Sequence, residues 1–152
     1  MNLIIKTLSA GFFTGYIPLA PGTFGTILSA VVYWQLFPKN TTMQIIIVSL
    51  SIIIAIIVAG QSEKETGRKD DRRIVIDEIV GFWVCMLFIP HRITFFAAGF
   101  LLFRFFDIIK IPPVKKLEKL PGGFGIVLDD IAAGVMTNIV LQILKIFILC
   151  RF

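Results

Sequence analysis

The 152-residue sequence has one histidine and two cysteines, and that scarcity removes whole classes of chemistry. With His91 alone, no Ser-His-Asp set can be built, and the histidine-based membrane lipid phosphatases are excluded for the same reason. There is no Cys-x5-Arg loop for a cysteinyl phosphatase and no Asp-x-Asp-x-Thr for an aspartyl-phosphate enzyme. Cys85 lies inside an apolar run and Cys150 near the end, which rules out a disulfide framework or a thiolate metal site. Packing is expected of Cys85, and a surface position of His91. Also missing is any polar stretch long enough for a separate soluble domain. The start, "MNLIIKTLSAGFF", lacks a clean small-x-small cleavage site and is read as retained.

What is abundant is apolar: 57% of the residues are hydrophobic, above the usual share for a soluble domain. We expect one membrane-embedded domain, 1–152, all-α and polytopic, with about five membrane segments, some short or re-entrant. The expected spans are 24–37, 43–59, 75–90, 93–109 and 126–149, preceded by a weakly amphipathic helix over 3–15. A single helix from Ile79 to Phe106 would be about 42 Å long against a hydrocarbon core of about 30 Å. "PHR" also interrupts it, so the run reads as a helical hairpin with its tip at Pro90 to Arg92. "GQSEKETGRKDDRR" (Gly60 to Arg73) reads as a solvated loop, as does "IPPVKKLEKLPGGFG".

The net charge of +5 is not a nucleic-acid signal here, because the bases sit in short loops between apolar runs. With a cytoplasmic N-terminus, Lys6, the bases of 64–73, Arg104, Lys110 and the lysines of 115–119 fall on the cytoplasmic side. The other side receives only Lys39, Arg92, Lys145 and Arg151. "APGTFGT", "DE", "FRFFD" and "LPGGFGIVLDD" then share the cytoplasmic face.

Those four segments carry the chemistry. A carboxylate in an apolar span costs about 2.5–3.5 kcal/mol at mid-membrane, less near the interface. Asp77, Glu78, Asp107, Asp129 and Asp130 together would repel each other unless a cation sat among them. A hard divalent cation such as magnesium, which takes oxygen ligands and substrate phosphates, is the expected neutraliser. Helix capping is the bland alternative, with Asp77–Glu78 and Asp129–Asp130 each opening a helix. It accounts for one acid per helix but not for adjacent pairs. Arg104 and Asp107 share a helix face at i,i+3, as would Lys110 if the helix ran that far. A simple ion pair competes with a role for Arg104 and Lys110 as phosphate ligands. "PGTFGT" precedes a helix and offers Gly22, Gly25, Thr23 and Thr26 to a phosphate, although small residues there would equally serve close helix packing. The chemistry left is metal-assisted attack on phosphorus, with water or a carboxylate as nucleophile.

Taken in order, "PLAPGTFGT", "DEIVGFWV" and "FRFFDIIKIPPVKKLEKLPGGFGIVLDDIAAG" closely resemble the phosphatidylglycerophosphatase A family of bacterial inner-membrane enzymes. The resemblance covers almost the whole chain, with one departure at Ile111, which separates Lys110 from the prolines. It implies a magnesium-dependent, multi-pass enzyme that converts phosphatidylglycerophosphate to phosphatidylglycerol, its site facing the cytoplasm. By resemblance Asp77, Glu78, Asp107, Asp129 and Asp130 hold the metal, while Arg104 and Lys110 occupy the basic positions. Asp107, Asp129, Asp130 and Arg104 are then the expected catalytic set. A small ion-coupled transporter or channel subunit is the competing class. It would need polar groups through the membrane depth, where only scattered Ser, Thr, Gln and Asn138 occur. A CDP-alcohol transferase would show Asp-Gly-x-x-Ala-Arg, which is absent.

Overall fold

Asn40 ends a short polar turn and starts a long helix, its side chain accepting the Met43 N–H at 3.2 Å. In the computed structural model, which describes residues 3–68, 71–112 and 114–149, that helix is α3, Thr41–Thr66. It ends at Gly67, whose φ of 65° suits a residue without a Cβ. The remaining elements are α1 (Leu3–Ser9), a 3-10 turn (Thr14–Tyr16), α2 (Pro21–Leu36), α4 (Ile76–Cys85), α5 (Ile93–Ile109), α6 (Val114–Leu117) and α7 (Gly123–Leu149). No strand occurs among the described residues. Arg151 and Cys150 lie outside them.

α3 turns Ile45, Ile46, Leu50, Ile53, Ile54 and Ile57 outward and buries Val48, Ala55, Val58, Ala59 and Ser62. Large apolar groups outside and small ones inside is the pattern of a helix solvated by lipid. α7 does the same, with Ile139, Ile143, Ile146 and Phe147 exposed and Ala133, Thr137 and Leu141 buried. Among the described residues, α3 and α7 are the helices long and apolar enough to cross a membrane.

Several expected boundaries move. α2 and α5 have 16 and 17 residues and α4 only 10, so at 1.5 Å per residue they reach about 24, 26 and 15 Å. Of the about five expected segments, α3 and α7 are long enough to span, and α2, α4 and α5 are short. α1 stops at Ser9, because Gly11, Phe12 and Phe13 take positive φ and turn the chain. α3 continues past Ala59 through "GQSEKET", so half of the expected loop is helical. "PGTFGT" does not precede α2 but forms its first turns. α7 starts at Gly123, after Gly122 at φ 63°, so Asp129 and Asp130 sit beyond its first turn.

α4 is the central helix, packed on α7, α2 and α3. Glycines set its closest approach: a Cβ on Gly81 would come within 2.8 Å of the Asp130 carbonyl, and one on Gly134 would strike the Gly81 carbonyl. This crossing brings Asp77 and Glu78 of α4 beside Asp130 of α7. At the other end, Tyr33 donates its hydroxyl to the Met86 carbonyl at 3.0 Å. Asn138 donates to the carbonyls of Cys85 and Leu87 at 2.8 and 2.7 Å, satisfying the end of α4 from α7. The turn 86–92 then leads into α5. His91 in it is exposed and stacks on Tyr33, ring centroids 5.3 Å apart. Cys85 is fully buried against Gly99.

Candidate active site

The first turns of α2 and α4, the end of α5 and the second turn of α7 meet around a cavity of about 560 Å³. Asp77, Glu78, Arg104, Asp107, Lys110, Asp129, Asp130 and Gly22 line it together. One wall is the segment Gly15 to Ala20, whose last residue has a φ of 52°. A Cβ on Gly22 would collide with the Glu78 carboxylate and lie 3.3 Å from Arg104, so only glycine lets those side chains pass the start of α2.

The five acids divide into two groups. One carboxylate oxygen each from Asp77, Glu78 and Asp130 lies within 4.8 Å of the other two. Glu78 Oε2 and Asp130 Oδ2 are buried without a hydrogen-bond partner. Such acceptors are costly to leave unsatisfied. The other two acids are matched by bases. Arg104 Nη1 donates to Asp107 at 2.7 Å, and Lys110 Nζ donates to Asp129 at 2.9 Å with Glu118 at 3.5 Å. Asp129 also accepts the Asp130 N–H. Arg104 keeps a buried Nε without an acceptor. Unmatched acceptors on Glu78 and Asp130 thus sit in one cavity with an unmatched guanidinium donor. That arrangement suits a cation and an anion bound side by side. An all-carboxylate oxygen set fits a hard divalent ion, and Asp77, Glu78 and Asp130 are the residues that would hold it.

The sequence would put Lys110 on the Arg104 face of α5 if the helix ran that far. Instead α5 ends at Ile109 and Lys110 takes a left-handed φ of 47°, which swings it to Asp129 on α7. Capping fails for Asp129 and Asp130, which lie too far into α7 to meet its free N–H groups. Thr23, Gly25 and Thr26 do not line the cavity. Thr26 is fully buried and donates to the Gly22 carbonyl at 2.9 Å, and Gly25 makes room for Val75. The sequence reading also passed over Tyr16, Arg72 and Arg73, which line the cavity from the other side. The signal for the two arginines was "RR", separated by three residues from "DE", inside a stretch read only as solvated loop.

The family model for phosphatidylglycerophosphatase A matches residues 7–145. The chain belongs to the phosphatidylglycerophosphatase A family. Its members here include the Escherichia coli phosphatidylglycerophosphatase A, 35% identical over 86% of this chain and 77% of that protein. The Haemophilus influenzae phosphatidylglycerophosphatase A is 34% identical over 95% and 91% of the two chains. A Bacteroides thetaiotaomicron protein with the provisional name phosphatidylinositol-3-phosphatase is 30% identical over 91% of each. No solved structure matches the chain. As a family member it is a phosphoric monoester hydrolase of the lipid phosphatase type. The transporter reading finds no support in these relatives.

Proposed function

We propose that this single domain, 1–152, removes the terminal phosphate from phosphatidylglycerophosphate, giving phosphatidylglycerol and inorganic phosphate for phospholipid synthesis. The observation that carries the reading is the pairing of orphaned charges in one cavity: Glu78 Oε2 and Asp130 Oδ2 on one side, Arg104 Nε on the other. Magnesium fits Asp77, Glu78 and Asp130; when bound it supplies charge neutralisation at phosphorus and a more acidic water. Arg104, oriented by Asp107, presents its remaining donors to a non-bridging phosphate oxygen. Lys110, fixed by Asp129 and Glu118, adds a second cation at the cavity edge. Water adds to phosphorus, the ester P–O bond breaks, and the alcohol oxygen leaves with a proton.

The substrates in the relatives' names share one architecture. Each has a phosphomonoester on an alcohol that a phosphodiester joins to diacylglycerol. The apolar outer faces of α3 and α7 keep those acyl chains in the bilayer while the headgroup enters the cavity. We read the protein as multi-pass in the bacterial cytoplasmic membrane with α2, α4 and α5 as shorter segments. The cavity faces the cytoplasm, where the basic loops lie.

The test is phosphate release from phosphatidylglycerophosphate in detergent, with and without a chelator. Release that stops with chelator and returns with magnesium is expected; chelator-resistant release would remove the metal. Sidedness is tested by His91→Cys, which should react with an impermeant thiol reagent from outside the cell.

A further inference from the structure

The cavity contains two sets of bases with different surroundings. Arg104 and Lys110 each face a cavity acid. Arg72 and Arg73 come from the loop before α4, where Arg73 pairs with Asp71 of the same loop. Arg73 is fixed from behind. Asp71 accepts its Nε at 2.9 Å and its Nη2 at 2.5 Å, and its guanidinium lies 5.8 Å from the centre of the Tyr16 ring. The Tyr16 ring is itself held near Lys6 Nζ at 5.3 Å. Gly15 lets the 3-10 turn close directly onto the Arg73 backbone, where a side chain would clash with its carbonyl. Arg72 is exposed and has no ion-pair partner among the described residues.

We propose that Arg72 and Arg73 form a second anion subsite, which holds the internal phosphodiester of the substrate while the acidic trio and Arg104 hold the terminal phosphomonoester. The inference rests on the lipid phosphatase reading and adds to it a basis for substrate choice. Three carbons separate the two phosphates of a glycerophosphate headgroup, so the two occupy different parts of the cavity. A volume of about 560 Å³ exceeds what one phosphate and one ion require. The monoester, the more highly charged end, belongs beside the metal-capable carboxylates. The diester carries one negative charge and suits cations set apart from the metal-capable carboxylates: Arg72, exposed, and Arg73, whose acid Asp71 lies in its own loop. An arginine braced by Asp71 and Tyr16 loses little side-chain freedom on binding. Recognition of the diester also leaves the alcohol between the phosphates free to vary.

The experiment compares wild type, Arg72→Gln and Arg73→Gln on phosphatidylglycerophosphate in detergent, with two inhibitors. Inorganic phosphate probes the monoester position, and phosphatidylglycerol, which keeps only the diester, probes the new subsite. Each variant should raise KM about tenfold with a smaller change in kcat. Each should weaken inhibition by phosphatidylglycerol about tenfold and leave that by phosphate within twofold. Equal weakening of both inhibitors, or of neither, overturns the subsite. Arg72→Gln decides the matter if Arg73→Gln fails to fold, because Arg72 is exposed. A wild type that releases no phosphate from this lipid overturns the functional reading itself, and the subsite with it.

Discussion

The two ends of the helix bundle treat polar groups in opposite ways. At the aromatic end Tyr33, Trp83, Asn138 and Gln44 each donate to a backbone carbonyl, and Phe37 and His91 stack on Tyr33 while Phe96 packs tilted against it. At the cavity end Glu78, Asp130 and Arg104 keep buried atoms with no partner. α2 joins the two, running from Gly22 at the cavity to Tyr33 in the aromatic cluster, so both ends belong to one packed unit. Unsatisfied groups that a fold tolerates in one place and avoids in another mark where a ligand completes the structure. The aromatic end is finished by the chain itself.

That contrast can be broken by substitution. The largest effect is expected from Asp130→Asn or Glu78→Gln. Each should lower turnover at least a hundredfold, roughly 2.7 kcal/mol of transition-state stabilisation. The melting temperature of the metal-free protein should not fall, because a buried like-charge contact is relieved. Phosphate release and thermal melting measure the two; normal turnover would make the cavity end as structural as the other.

A smaller and more selective effect separates the two charge types within the cavity. Arg104→Lys keeps the charge and loses the planar fork, so turnover should drop about tenfold while the magnesium concentration for half-activity stays put. Asp130→Glu moves a carboxylate by one methylene. It should raise that concentration, since magnesium demands near-octahedral geometry. A magnesium titration of both variants reads the difference, and the reverse pattern would exchange the assigned roles.

At the aromatic end the signs should invert. Asn138→Ala removes the donor to the Cys85 carbonyl and leaves Leu87 only the longer bond from Gln142 at 3.4 Å, and should cost about 1–3 kcal/mol of stability. Turnover per folded molecule should be unchanged. A loss of activity without a loss of stability would show that the end of α4 transmits to the cavity.

The smallest effect concerns the loop that carries Arg73. The Arg73 guanidinium beside Asp71 holds its carboxyl below the usual carboxylate range. The pair's stabilisation is therefore present above the ordinary carboxylate pKa of about 3.9 and fades as pH falls through the lowered value. Asp71→Asn should flatten the acid limb of a stability profile below about pH 4. The change should be slight, because Arg73 is 46% exposed and solvent screens it.

Most of the helical content was legible in the residues. The apolar runs, the turn at Pro90 to Arg92 and the Pro-Gly-Gly break before α7 follow from local rules of hydropathy and backbone freedom. The acids stood out because charge inside an apolar run is costly wherever the run lies. Boundaries were less legible. α3 outran its apolar stretch, since "QSEKET" forms helix readily in water as well.

What the sequence by itself determined is that this chain is helical, apolar on its outside and supplied with five acids and two bases in segments that meet at one end. Only the tertiary structure decided how those charges divide. Gly81 and Gly134 let α4 and α7 touch, which sets Glu78 and Asp77 against Asp130. The left-handed turn at Lys110 gives Asp129 to a lysine instead of to that group. The closure of the Tyr16 turn on Arg73 brings in two arginines from a loop far from α5 and α7 in the chain. Spacing along a helix fixes which residues share a face; which faces come close enough to share a ligand depends on the side chains that are missing between them.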